Sequence, residues 1–145
     1  MPDAAFAWIM KALEARGLQS AIKDWTLPPK FVDHATKRGI PVVLGSIESI
    51  PFEGNSFDIA YARHVLEHLE YYEAGLTELI RVAKKEVFVN FFSIPDVSER
   101  TELMMCEGIP LYHNYYNKMK MEQFLLKNPK VKSFRWTYDI LQIYL

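Results

Sequence analysis

A doubly wound α/β domain with a mostly parallel sheet is predicted by three observations. Short apolar runs rich in β-branched or aromatic residues, Ile40–Leu44, Phe57–Ala62 and Glu86–Phe92, read as buried strands. Segments with helical spacing alternate with them, in the order α-β-α-β-β-α-β. The links between strands are long enough, or helical enough, for parallel crossovers.

The elements follow in chain order. Residues 4–16 place Phe6, Ile9, Met10 and Leu13 on one helical face, and Gly17 ends the helix. Ser20–Trp25 is a short strand running into Pro28-Pro29, and Pro29 suits the first turn of a helix over Lys30–Lys37. Phe31, Val32 and Ala35 form its buried stripe. Arg38-Gly39 breaks it before the strand Ile40–Leu44. Gly45–Ser56 is rich in turn residues and shows no helix. Phe57–Ala62 has only Asp58 as strongly polar material, as expected of a strand covered on both faces. Helical signal resumes over Val65–Leu69 and Tyr72–Val82, with Leu76, Leu79, Ile80 and Ala83 on one side. After Glu86–Phe92, Asp96 and Glu99 read as a capping box for a helix over Val97–Cys106, closed by Gly108 and Pro110. Asn117 caps a helix over Lys118–Lys127, and Val131–Tyr138 and Ile140–Leu145 finish as an antiparallel pair broken at Asp139.

Composition narrows the classes. The 145 residues, half of them apolar, suffice for a single domain, residues 1–145, with its own core. A net charge of −1 with interspersed signs gives no footprint for nucleic acid or for an anionic membrane. The run Ala4–Met10 is too short to span a bilayer and follows Asp3 instead of a basic leader, so neither anchor nor signal peptide is expected. The lone Cys106 excludes an internal disulfide and suits a reducing, cytoplasmic setting, where it reads as a packed thiol. Met104-Met105 reads as core filling.

Five short motifs occur in order: Gly39–Gly45 (GIPVVLG), Ile50-Pro-Phe52, Asn55-Ser-Phe-Asp58, His64–Leu69 (HVLEHL) and Glu78–Val82 (ELIRV). Together they resemble the class I S-adenosylmethionine-dependent methyltransferases of the type 11 family, closely over Phe6–Phe92 and loosely over Tyr112–Leu145. The resemblance implies a Rossmann-like sheet with S-adenosylmethionine across the carboxyl ends of its strands. It assigns Asp24, Gly45, Ser46, Ile47, Glu48 and Arg63 to the cofactor, and His64, Tyr112 and His113 to a small-molecule acceptor. No metal is implied.

The same alignment shows a departure. The glycine-rich cofactor loop would fall on Asp3–Ala7 (DAAFA), which has no glycine, and the family's first strand would precede Met1. The ribose carboxylate would fall on Thr26, so Asp24 serves only if its loop is rearranged, and the usual adenine-binding aspartate is Ser46. The expected fold is therefore this sheet with its first strand and glycine loop missing. Two alternatives to an active methyltransferase follow: a non-catalytic module that does not bind S-adenosylmethionine, or a subunit that needs a partner. The missing strand would sit at the centre of the sheet, so either the edges close on each other, or a second copy or a partner chain completes it.

Blander and sharper readings of the same residues also stand. His64-Val-Leu-Glu67-His68 spells an inverted zinc-protease signature, which needs both imidazoles on one helical face and a third ligand. Leu111–Tyr116 (LYHNYY) either encloses a substrate or covers a sheet edge. Arg81 is expected to hold carboxylates on neighbouring segments, and Asp58 to cap a turn or pair locally. Lys127, Lys130 and Lys132 read as a solvated surface.

Overall fold

The structure, a computed structural model, describes residues 21–23, 37, 42–96, 98–106 and 109–145. The helix expected at 4–16, all of that expected at Lys30–Lys37 except Lys37 itself, and Asp24 lie outside the described residues.

Two short strands, β1 (Ala21–Lys23) and β2 (Val42–Leu44), pair in parallel. A four-stranded sheet is built from β3 (Phe57–Arg63), β4 (Ala83–Asn90), β7 (Ser133–Thr137) and β8 (Ile140–Tyr144), in the order β3-β4-β8-β7. β3 and β4 run parallel, while β8 lies antiparallel to both β4 and β7. Among the described residues no strand joins β1–β2 to the outer edge of β3. The described strands thus form a mixed sheet in two pieces, with β1–β2 and β3–β4 parallel and the terminal pair antiparallel, and the break falls where the sequence places the missing strand.

One face of the larger sheet carries the core. Ala60 and Ala62 on β3, Val87 and Val89 on β4, and Leu141 and Ile143 on β8 are all buried. The alternation along each strand puts these residues on one side by its period of two. Helix α1 (Tyr72–Val82) lays Leu76, Leu79 and Ile80 against them, as its apolar spacing predicts. Helix α2 (Lys118–Leu126) adds Met121 and Leu125. Its N-cap is the predicted one: Asn117 Oδ1 accepts from Lys120 N–H at 3.1 Å. The other face bears Ile59, Tyr61 and Phe88, each half-buried.

Three expectations are corrected. Residues 100–106 are strand β5 (Arg100–Cys106), not a helix, and form an antiparallel hairpin with β6 (Ile109–Tyr115). The local capping-box signal lost to cross-strand pairing, with Thr101 Oγ1 donating to Asn114 Oδ1 across the hairpin at 2.6 Å. Met104 and Met105 are 50 % and 66 % exposed, so they do not fill the core. The helical signal at Val65–Leu69 is realised only as a three-residue 3-10 turn, Leu66–His68, because the chain must turn sharply off β3 into α1.

The lysines of the last loop are not simply solvated. Lys130 Nζ donates to the carbonyls of Ile80 at 2.7 Å and Arg81 at 3.2 Å, and also to that of Ala83. These are acceptors freed at the end of α1, where a cation also meets the negative end of the helix. Replacing Lys130 with Met should therefore lower stability by about 1–3 kcal/mol in a urea melt, whereas Lys127→Met, on an exposed position, should change it by less than about 0.5 kcal/mol.

Candidate functional site

The candidate site lies at the carboxyl ends of β3 and β4. Their register pairs Arg63 with Asn90, so the two strands end side by side. The chain then leaves β3 through His64, whose N–H donates to Asn90 O at 2.8 Å. His64 has φ of 53°, a left-handed conformation that costs a non-glycine residue about 1 kcal/mol or more. Asn90 is fixed from the other side by the β7–β8 turn: its Nδ2 donates to Asp139 Oδ2 at 2.9 Å, and Phe91 N–H donates to Asp139 O at 2.9 Å.

Phe92 gathers the rings. His64 stacks on it with centroids 3.8 Å apart and planes 16° apart. His113, on β6, lies 5.3 Å away at 42°, and His68 meets it edge-on at 6.0 Å. His68 Nδ1 lies 2.7 Å from Tyr112 O, which ties the hairpin to the turn after β3. His64 and His113, two of the acceptor-side residues named from the sequence, thus meet around one phenylalanine. Tyr112 is half-exposed on the same strand, and only its backbone carbonyl has a described role there. Burial is the main influence on His64 and lowers its pKa, reinforced by Arg63 and opposed by Asp139, so the neutral imidazole is favoured at neutral pH.

The same geometry removes the zinc reading. His64 sits at a strand end and His68 on a 3-10 turn, so the pair lacks the shared face of an α-helix. Glu67 is committed elsewhere, its Oε1 accepting from Phe92 N–H at 2.5 Å. No group of three potential metal ligands occurs among the described residues. Glu67 is 3 % exposed, and burial raises its pKa to about 7.

The proposed cofactor residues after β2 form a tight turn. Ser49 N–H donates to Ser46 O at 3.1 Å, and Glu48 N–H donates to Ser46 Oγ at 3.1 Å. Glu48 is exposed, Gly45 and Ser46 are half-buried, and the Ile47 side chain is buried at 5 % exposure. Ile47 packs over Gly75 of α1, where a Cβ would meet Leu69 at 2.9 Å and Leu66 at 3.1 Å. The Ile47 side chain is therefore an anchor, which leaves its backbone for any ligand. Next to the turn, Arg81 Nη1 and Nη2 donate to Phe52 O at 2.8 Å and Ile50 O at 2.9 Å, and Arg81 Nε donates to Glu78 Oε1 at 2.6 Å. Glu78 Oε2 in turn accepts from Ile50 N–H at 2.8 Å. Arg81 therefore holds a carboxylate on its own helix and two loop carbonyls, in place of carboxylates on other segments. Asp58 lies 3.4 Å from Lys85 on the adjacent strand β4, a partner brought to it by the sheet and not a neighbour in the sequence.

Sequence reasoning missed Asn90, Phe92, Asp139 and the role of Glu67. Asn90 was findable as the one amide interrupting EVFVNFF at a strand end. Phe92 carried no signal of its own. A separate cavity of about 300 Å³ is lined by Glu70, Tyr71, Glu73 and Glu99 together with Asn114, Tyr115 and Tyr116 of the polar-aromatic run, but by none of the residues assigned to cofactor or acceptor.

A parallel strand pair, closed by an antiparallel terminal pair and carrying polar residues at its carboxyl ends, is the architecture of ligand-binding open α/β domains. The family described as "Methyltransferase domain" matches residues 6–91, and the chain belongs to it. Solved structures agree in fold. A protein of Pyrococcus horikoshii OT3 is 18 % identical with a TM-score of 0.59, over 86 % of this chain and 69 % of its own. An S-adenosylmethionine-dependent methyltransferase of Listeria monocytogenes, named as putative, is 11 % identical with a TM-score of 0.61, over 86 % and 78 %. The Burkholderia thailandensis 1,6-didemethyltoxoflavin-N1-methyltransferase, solved with 1,6-didemethyltoxoflavin and S-adenosylhomocysteine, is 13 % identical with a TM-score of 0.55, over 86 % and 60 %. No curated protein matches the chain.

The raised pKa of Glu67 gives a pH signature. Because the folded-state value of about 7 exceeds the unfolded value of 4.5, the folded state holds the extra proton between them. The cost of ionising Glu67 is absent below pH 4.5, grows as pH rises, and is complete above pH 7, at roughly 3 kcal/mol. Glu67→Gln should therefore gain stability relative to the parent by up to about this amount between pH 5 and pH 8, measured by urea melts across that range.

Proposed function

We propose that the chain is a methyltransferase that binds S-adenosylmethionine and passes its methyl group to a small-molecule acceptor. The observation that carries this reading is the meeting of His64 and His113 around Phe92 at the strand ends next to Arg63, within the family match. The described donor set fits the adenine end of the cofactor: a half-buried Gly45, the Ser46 hydroxyl, the Ile47 backbone and the exposed Glu48 carboxylate on one clamped turn. Asp24, the candidate for the ribose hydroxyls, lies outside the described residues. When bound, the cofactor supplies an electrophilic methyl attached to a sulfonium.

The chain's own residues supply position and proton acceptance. Arg63, exposed at the end of β3, provides a positive charge for a carboxylate or a polar substituent. His64, favoured neutral by burial, accepts the proton that the acceptor heteroatom loses as it is methylated. His113 and Tyr112 form the acceptor wall from the hairpin. Holding acceptor and methyl in line accounts for most of the rate, and proton removal adds to it.

Isothermal titration with S-adenosylmethionine and S-adenosylhomocysteine should give saturable heat, and Ser46→Ala with Glu48→Ala should weaken it about tenfold or more. Absence of heat from either ligand at high protein concentration overturns the proposal. His64→Asn, which tolerates the left-handed backbone, should leave cofactor affinity within about threefold and lower kcat by about 100-fold or more.

A second reading is favoured by one observation: the outer edge of β3 has no strand partner among the described residues. Unpaired buried backbone groups cost about 1–3 kcal/mol each, and Phe57, Ala60 and Ala62 make this edge apolar. On this reading a second copy or a partner chain provides a strand there, and the cofactor loop is either shared with it or lost in a non-catalytic assembly module. Light scattering should then return twice the 16.9 kDa chain mass or more. A strictly monomeric species that still binds cofactor would exclude it.

A further inference from the structure

We propose that Glu67 is a positioning residue for the acceptor side: its buried carboxyl group holds the Phe92 amide, and through it the ring against which His64 and His113 are set. The proposal deepens the methyltransferase reading and rests on it for the role of the two histidines.

The geometry carries the proposal. Glu67 lies in the turn after β3 and Phe92 in the segment after β4, and the 2.5 Å bond from Phe92 N–H to Glu67 Oε1 links them across 25 residues. Phe92 is 37 % exposed and carries His64 at 3.8 Å and His113 at 5.3 Å, so the placement of its backbone sets the placement of both rings. The carboxyl group uses one oxygen only. Glu67 Oε2 is buried without a hydrogen-bond partner among the described residues. It borders a small cavity that His113, Ser93, Asn114 and Tyr116 also line, with no lysine or arginine among its walls.

The charged and titratable groups around Glu67 are few. His64 and His68 come from its own segment, and His113, Tyr115 and Tyr116 from β6 and the residue after it. The Tyr116 hydroxyl is already spent, donating to Leu66 O at 2.6 Å and Leu69 O at 2.9 Å. A neutral carboxyl group is tolerated in such a site, whereas a carboxylate leaves a charged oxygen without a donor. Ionisation therefore requires water to enter or the 92–95 segment to shift. The bond to the Phe92 amide favours the ionised form, but burial and the unpartnered Oε2 oppose it, so the setting of the ring cluster changes as pH rises through the region of about 7.

Histidine side-chain proton resonances of the full chain, followed from pH 5 to pH 9, test this. The parent should show His64 and His113 signals displaced by the Phe92 ring, with an inflection near pH 7 beyond each histidine's own titration. Glu67→Gln keeps an acceptor for the Phe92 amide, so the displacement should persist and the extra inflection should vanish. Glu67→Ala removes the acceptor, so the displacement should collapse towards free-histidine values. An extra inflection that survives in Glu67→Gln, or a displacement unchanged in folded Glu67→Ala, overturns the proposal. If Glu67→Ala does not fold, the Glu67→Gln inflection decides alone. Titrating the same samples with S-adenosylmethionine separates the two failures: no binding sinks the methyltransferase reading while the ring displacement still reports on Glu67.

Discussion

The register between β3 and β4 is the constraint on which the rest depends. Pairing Ala60 with Val87 and Ala62 with Val89 turns four buried side chains towards α1 and brings Arg63 beside Asn90. A slip of one residue would send that set to the opposite face, leaving Leu76 and Leu79 without partners. The two alanines on β3 are small, so α1 and the turn before it can approach closely. The same closeness reaches the other end of the motif, where Gly75 leaves room for Leu66 and Leu69.

Polar side chains then fix what the core cannot. Three of them reach across long stretches of chain: Arg81 to the 50–52 loop, Lys130 to the end of α1, and Glu67 to Phe92. Each meets backbone groups that no helix or strand satisfies. These bonds are made in partly or fully buried places, where an unpaired carbonyl or amide is expensive. The loops at the strand ends are therefore held in one arrangement although they have little regular structure. The proposed in-line transfer of a methyl group would need such a fixed arrangement, since it tolerates little displacement.

The two ends of the proposed site are built differently. The cofactor end is a turn whose buried Ile47 anchors it to α1 and whose polar groups remain available. The acceptor end is a meeting of four segments: the turn after β3, the segment after β4, the β7–β8 turn and the β5–β6 hairpin. Asp139 and Asn90 belong to it as much as the histidines do, because they fix the backbone from which His64 departs.

Local patterns in the sequence determined most of the fold. Apolar spacing marked α1, Asn117 marked the start of α2, and alternation marked the terminal strand pair. The family motifs led to Arg63 and His64, because a strand end can be read from where an apolar run stops. Residues 100–106 differ from the sequence reading, since Asp96 and Glu99 offer a local helix start while the strand that overrides it, Ile109–Tyr115, follows in a hairpin whose pairing the local signal does not contain. Phe92 as the centre of the rings, the burial of Glu67 and the exposure of Met104 and Met105 were decided only by tertiary structure. Periodicity reports which face of an element is apolar, but the neighbour that covers that face is set by packing between segments distant in the chain.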